Sequence, residues 1–418
     1  MKILVVSCVF PPEPVTSAST SHALACELAR QGNTVTVITS YPSRPGGQLF
    51  SGFRRHFLER NHAGNNFEII RCFSTISRTA TLLSRLAENL SFGFCSGFAM
   101  ARMPRPDVIY ANTWPIFAVG IAALVAKARR IPIVISVQDI YPESLISLKK
   151  IKPGGPVARM LKSFDTCIAR AASALVVISE RAEHIYSRER GIPHKKIHCI
   201  ANWRPKRERP TVEMARQQRD IWRVKADTFL IVFAGSVVPA CGLEVVIHAV
   251  SRLKDGPLAH LMIAGSGSDL DSCKRMVEQL QTGNVEFGGS FLEEQTFEIL
   301  AAASILILPT QGDQSLVSMP SKLISYMMSG RPIVALACPE SDLARVVNTS
   351  GCGWTVAPGD VDGLAQLIRT ILPLESSELA RRGSLGREYA LAHFSTEACL
   401  PRLITVMENT VKARVPCA

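Results

Sequence analysis

No CxxC pair and no Cys/His cluster at zinc-ligand spacing occurs among the 12 cysteines of the 418-residue sequence. That absence argues against a disulfide framework and a metal centre, and leaves reduced cytoplasmic thiols as the simpler expectation. No GxGxxG turn follows the first strand-like run; PPEPVTSAST stands there instead, which counts strongly against a nicotinamide enzyme. The longest apolar run, Ile116 to Ala126, is too short to cross a bilayer. Lys2 and the apolar run Ile3 to Phe10 lead into PPEP without a small-residue cleavage site, so they read as a first strand and not as a signal peptide. Low-complexity tracts and sequence repeats are missing as well.

What is present is a composition 47% hydrophobic and 20% charged, that of a folded globular chain long enough for two domains. Its net charge of +12 is uneven: residues 1–210 hold 29 Lys/Arg against 13 Asp/Glu, and residues 211–418 hold 18 against 22. All of the basic excess is N-terminal. Nucleic acid and an anionic membrane surface are the two partner classes for such a half. Aromatics make up only 6% of the chain and form no nucleic-acid motif, which favours the membrane.

Strand-like runs alternate with helical ones throughout. Strands are expected at 2–9, 34–40, 67–73, 107–113, 131–138, 174–179 and 197–202, with helices at 17–31, 115–130, 155–172 and 180–190. Charge and proline in 202–219 mark a linker, after which strands recur at 228–235, 258–267, 285–290, 304–310, 332–337 and 353–358. Val/Ile-rich strands separated by helices imply parallel sheets covered on both faces. The expected domains are 1–203 and 204–390, both Rossmann-like, with 391–418 returning toward the first; the helical patterns at 376–393 and 396–413 both qualify to pack back there.

Open α/β sheets bind ligands at the carboxyl ends of their strands, so the loops there deserve the closest reading. FAGS (233–236) and IAGSGSD (263–269) place Gly235, Ser236, Gly265 and Ser266 just after strands, offering open backbone amides. In SLVSMPSKLISYMMSGRP (315–332), Pro320 is expected to open a helix that stops at Gly330. Lys322 then lies in the first turn, where the macrodipole already leaves positive charge, so an anion is expected in front of it. Ser321, Lys322, Ser325 and Ser329 share one stripe of that helix, and Leu323, Ile324, Met327 and Met328 the other; a solvated face with a snorkelling lysine is the plain alternative.

In the first half, SVQDIYPES (136–144) ends a buried strand with Asp139 and Glu143, either as cleft-facing carboxylates or as helix caps. PPEP is either a rigid turn, with Thr16 or Ser17 capping the next helix, or a substrate-facing loop. Two DxD triplets, at 269–271 and 360–362, sit at helix starts and read as caps. Residues 78–105 mix Leu and Phe with Arg78, Arg85, Arg102 and Arg105 around one acid, Glu88, as a basic amphipathic surface helix or a core helix with a charged outer face.

The N-terminal KILVVSCVFPPEP, VQDIYPESL, FAG with GLE, IAGSG and PSKLISYMMSGRPIVA together resemble the retaining GT-B glycosyltransferases of family 4. The likeness is to the bacterial branch that builds O-antigen, capsule or colanic acid, often described as N-acetyl-fucosamine transferases. It implies two Rossmann-like doubly wound domains facing a cleft, and transfer of a sugar from a nucleotide donor, a UDP-sugar by the resemblance, to a lipid-linked acceptor at the inner face of the plasma membrane. No metal or other cofactor is implied. The donor side would comprise Gly235, Ser236, Gly265, Ser266, Phe287, Ser315, Ser321, Lys322 and Ser325, the acceptor side Pro14, Thr16, Ser17 and Asn112, and Asp139 with Glu143 the catalytic pair.

Departures from the family pattern are equally specific. Val317 and Ser325 stand at the positions of two family glutamates, Asn112 near a family histidine, Val15 to Ser17 in place of paired glycines, and Ser236, Ala240 and Cys241 where basic or amide side chains are usual. Two further readings therefore stay open: a weakly active or non-catalytic relative that binds nucleotide, and a GT-B sugar-nucleotide epimerase.

Overall fold

The computed structural model describes residues 1–44, 46–61, 67–79, 81–112, 115–253 and 259–413. The chain divides into two compact units, Met1–Trp203 together with Thr396–Ala418, and Arg204–Ser395. Thr113 and Leu258, at the ends of two expected strands, lie outside the described residues.

Unit 1 is built on β1 (Lys2–Val6), β2 (Thr34–Ser40), β3 (Leu58–Asn61), β4 (Glu68–Cys72), β5 (Val108–Asn112), β6 (Ile133–Val137), β7 (Ala174–Val177) and β8 (Ile197–Cys199). Among the described residues they form one sheet in the order β3-β4-β2-β1-β5-β6-β7-β8. All pairs are parallel except β3 with β4, where Leu58 faces Cys72 across an antiparallel edge. Every residue of β5, β6 and β7 is buried, as a parallel strand covered on both faces requires. Period-two alternation divides β1 between the faces: Leu4 and Val6 join one apolar cluster, Ile3 and Val5 the other.

The first face is covered by helices Leu82–Arg102, Ile116–Ala128 and Pro156–Ala171. The second is covered by Thr16–Arg30 and by the chain's last helix, Thr396–Lys412, whose Leu400, Leu403, Ile404 and Met407 complete that core. The other helix expected to pack back, Ser376–His393, instead stays in unit 2 against helices Lys322–Ser329 and Asp342–Ser350. Its three buried positions are Gly383, Gly386 and Ala390, and the two glycines allow backbone-close packing on unit 2.

Unit 2 carries β9 (Phe229–Ala234), β10 (Ala259–Ala264), β11 (Val285–Gly289), β12 (Ile305–Pro309), β13 (Ile333–Leu336) and β14 (Gly353–Val356), in the parallel order β11-β10-β9-β12-β13-β14. The segment expected as a linker at 202–219 is part helix: Thr211 accepts a hydrogen bond from Met214 N and starts the helix Val212–Ile221. Both sheets reverse winding direction once, between β1 and β5 and between β9 and β12. A crevice opens at the carboxyl end of the strands at such a reversal, which fixes where a ligand site is to be sought in each unit. Among the described residues no helix is long and apolar enough to cross a membrane.

Candidate functional site

In unit 2 the helix Lys322–Ser329 borders the reversal point. Its start is Lys322, two residues later than the proline rule suggests: Ser321 holds the N-cap position without a side-chain bond, and Pro320 O accepts from Leu323 N at 3.0 Å. Its end is the expected one, with Gly330 left-handed at φ +74°. Tyr326 pins the helix to the sheet: its hydroxyl accepts from Ala234 N at 2.8 Å and donates to Ala234 O at 3.0 Å. Ser329 is buried and donates to Tyr326 O, so it does not belong to the polar stripe. Ser321 is exposed and Ser325 half-buried beside Lys322.

Lys322 is laid across the end of β9. Its Nζ donates to Ser236 O at 3.2 Å, approaches Cys241 Sγ at 3.5 Å and sits 4.8 Å from the centre of the Phe233 ring. Among the described residues it has no carboxylate partner. An uncompensated ammonium at a helix N-terminus favours an anion beside it. Two glycines make room for it. Gly235 has φ +138°, and a Cβ there would come 2.3 Å from Lys322 Cε; Gly265 has φ +141°, and its Cβ would strike Gly235 O at 1.9 Å.

The loop amides are less open than the sequence suggests. Gly235 N donates to Ala264 O, Val237 N to Ser266 O and Gly265 N to Gly289 O, at 2.9, 2.9 and 2.7 Å, because the ladder continues past the strand ends. Ser236 N and Ser266 N, which alternate with these, have no protein acceptor among the described residues. Ser315 is turned away: buried, it accepts from Cys338 N at 3.0 Å. Phe287 packs against the unit 2 core with Lys274 Nζ 5.9 Å from its ring. Of the two DxD triplets, Asp360 caps its helix through Gly363 N and Asp362 pairs with Arg252, whereas Asp269 makes no side-chain cap.

In unit 1 the carboxyl edge gathers Asn112 at the end of β5 and Asp139 just past β6. Asn112 is 2% exposed, and neither polar atom of its side-chain amide has a hydrogen-bond partner among the described residues. Burial pushes the Asp139 carboxyl above its ordinary range, and no side chain among the described residues compensates it. Glu143 is occupied differently. Arg190, fully buried, donates to both of its carboxylate oxygens at 2.9 and 2.7 Å and to Tyr141 O at 2.7 Å. Pro14 is exposed, and Thr16 and Ser17 are half-buried at the start of their helix. Neither caps it; Val15 is the N-cap residue and makes no side-chain bond.

Three residues that the sequence did not single out organise this edge. Glu13, between the prolines, accepts from Phe10 N, Ser43 N and Arg44 N and so ties the PPEP turn to the next loop. Arg190 holds the segment at Tyr141 and Glu143, and Asp165 backs Arg190 from another element, with its Oδ1 accepting from Tyr186 Oη at 2.9 Å and its Oδ2 3.5 Å from Arg190 Nε. No local pattern announces a pairing 47 residues long. An acidic residue flanked by prolines was the available signal for Glu13.

The chain matches two family models: "Glycosyl transferase 4-like domain" over residues 16–203 and "Glycosyl transferases group 1" over residues 228–373. It is 26% identical over 419 residues to a putative colanic acid biosynthesis glycosyl transferase, WcaI, of Escherichia coli K12, covering 97% of this chain and 99% of that one. It is 27% identical to a probable glycosyltransferase, WbjE, of Pseudomonas aeruginosa, over 71% of this chain and 74% of the relative. Among solved structures, HepE of Anabaena in complex with UDP and glucose superposes with a TM-score of 0.69 at 16% identity, over 98% of this chain and 99% of that one.

Two carboxylates share the Arg190 guanidinium, and burial outweighs that attraction at Asp165, whose carboxyl is pushed up from 3.8 to about 7. The folded chain then keeps a proton that the unfolded chain has released, so this group stabilises fully below pH 3.8 and its contribution is lost as pH rises through 7. Asp165→Asn should therefore flatten the loss of stability between these pH values, read as urea midpoints; parallel profiles for the two proteins would contradict the assignment.

Proposed function

We infer, from a chain that is a GT-B glycosyltransferase with a 4-like domain followed by a group 1 domain, that it transfers a sugar from a UDP-sugar to a lipid-linked saccharide acceptor in polysaccharide assembly, with retention. The observation that carries this reading is Lys322, an unpaired cation at a helix N-terminus, set against the amides of Ser236 and Ser266 at the point where the sheet reverses. The departing diphosphate develops negative charge, and fixed donors aimed at that charge lower the barrier. UDP as the nucleotide is supported by HepE, solved with UDP and glucose. Polysaccharide assembly is supported by the description of WcaI. Retention rests on the likeness to the retaining family.

Asp139, raised in pKa by burial and without a side-chain partner among the described residues, is the group proposed to orient the acceptor hydroxyl. Glu143 is proposed as support for that loop through Arg190, not as an acid or base. A non-catalytic role is favoured by one observation, that Val317 and Ser325 replace two carboxylates. UDP binding without transfer to any lipid-linked acceptor would establish it.

Lys322→Ala should cost about 1.5–3 kcal/mol, the scale of a charge-assisted hydrogen bond, or roughly a ten- to hundredfold fall in kcat/KM. The assay is product formation from UDP-sugars on polyprenyl-diphosphate saccharides, followed by mass. Unchanged UDP affinity and turnover in Lys322→Ala would remove the lysine from the reading. In the same assay Asp139→Asn should lower kcat while leaving UDP binding intact, and parental turnover would remove Asp139.

Attachment to an anionic membrane is proposed for helix Leu82–Arg102. Glu88, its sole acid, is buried against Arg44 and Arg85, so the outward face carries no negative charge. On that face Leu83 is 79% and Phe94 67% exposed, and Arg102 lies 4.0 Å from the Phe98 ring. Leucine and phenylalanine bordered by arginine suit the bilayer interface. Replacing both Leu83 and Phe94 by Glu should reduce co-sedimentation with phosphatidylglycerol vesicles at least tenfold without lowering thermal stability. Undiminished binding would exclude this helix as the contact.

A further inference from the structure

At the amino end of the unit 2 sheet, opposite the Lys322 edge, lies a cavity of about 710 Å³. It opens where β9, β12 and β13 begin, being lined by Thr228 and Phe229, by Ser304, and by Gly330 to Pro332. Between it and the Lys322 edge runs the whole of β9, six residues or about 20 Å. It is thus separate from the proposed donor site.

Its charge is lopsided. Arg209, Arg219, Lys225 and Arg331 line it, with Asp227 as the one carboxylate in the lining. None of the four cations forms an ion pair among the described residues, although arginines elsewhere in the chain pair readily with acids. The three guanidiniums play different parts. Arg219 is spent on the protein: it donates to the carbonyls of Ala302, Lys225, Ala226 and Thr228 and to Ser304 Oγ, closing the strand starts. Arg331 commits one nitrogen, to Ala301 O at 2.5 Å. Arg209 makes no side-chain hydrogen bond among the described residues, and its Nε lies against Gly330. Burial, with Arg219 and Arg209 adding repulsion, lowers the Arg331 pKa to about 10.

Like charges gathered without acids are destabilising unless an anion joins them. Guanidinium forks with free N–H groups match phosphate oxygens bidentately. The remaining wall, with Phe229, Leu372, Leu374 and Leu379, is apolar, and the volume lies within the usual range for a small-molecule site. We propose that this cavity binds a small phosphorylated compound, its phosphate held by Arg331 and Arg209 and its less polar part against the leucines. Because the helix Lys322–Ser329 begins at the donor edge and ends at Gly330 in the cavity lining, the two sites share a rigid element.

The site is tested by calorimetric titration of inorganic pyrophosphate into the full chain carrying Lys322→Ala, so that the donor edge has lost its cation. Binding near one equivalent is expected, and adding Arg331→Gln or Arg209→Ala should weaken it tenfold or more. In the otherwise parental chain the same two substitutions should leave UDP affinity within twofold. No binding in Lys322→Ala, or binding unaffected by either arginine substitution, would overturn the proposal. Arg209→Ala should also melt no lower than the parental chain in the absence of anion, since its guanidinium supports no carbonyl. A lower melting temperature would mark it as a structural strut and count against the site. A chain that fails to bind UDP but passes the pyrophosphate test would sink the donor reading and leave this one standing.

Discussion

Tyr326 exchanges two hydrogen bonds with one residue, Ala234, accepting from its amide and donating to its carbonyl. A phenol buried in an apolar core needs such partners, because an unsatisfied hydroxyl there costs about 1–3 kcal/mol. The consequence is positional. The last residue of β9 and the middle of a helix more than ninety positions later are locked together, and the helix N-terminus has one place to go. Lys322, one turn before Tyr326, falls across the strand's exit. The next residue after Ala234 then has to be glycine, since a Cβ at 235 would occupy the lysine stem, and Gly265 beside it has to be glycine because Gly235 O fills its Cβ position.

That geometry matters because of where it occurs. Parallel strands need long crossovers, so consecutive carboxyl ends carry loops that lead into helices, and where winding reverses the loops diverge and leave a crevice. Unit 2 reverses between β9 and β12, and the two glycine loops with Lys322 sit at that divergence. Unit 1 reverses between β1 and β5, and there Asn112 ends β5 with both side-chain amide atoms unsatisfied among the described residues. The PPEP turn, which follows β1, is held by a buried Glu13 whose carboxylate accepts three backbone amides. One topological rule thus brings the polar side chains of each unit to one edge.

All six parallel strands of unit 2 fall within their expected ranges; the Val/Ile/Leu-rich ones buried on both faces leave a continuous signal, whereas β11 and β14, less buried, were placed by the alternation with helices. β3 was not legible, since LERN is polar and pairs at an exposed antiparallel edge. The helix within 202–219 was hidden by charge and proline, although its Thr211 cap was readable. At the site, Lys322 could be found from helix electrostatics alone, a local property. The occupancy of the glycine-loop amides could not, because it depends on the ladder continuing across three strands. The pairing of Glu143 was hidden for the same reason: its partner Arg190 comes from a distant segment, and a carboxylate at a strand end reads the same whether it faces a cleft or a buried guanidinium.

The residue changes around Lys322 have an electrostatic logic of their own. A carboxylate at 325 would share the helix with Lys322 and offset part of its charge, and one at 317 would end the short helix that precedes it. Val317 can neither accept nor donate, and Ser325 is neutral, so neither position offsets the ammonium charge. Cys241 and Ser236 O approach it with weak and neutral acceptors, which orient the group without cancelling it. A helix so composed offers the proposed diphosphate a charge and carries no carboxylate to accept from sugar hydroxyls. Since charge alone does not distinguish one sugar diphosphate from another, on the proposed reading discrimination between donor sugars falls to residues outside this helix.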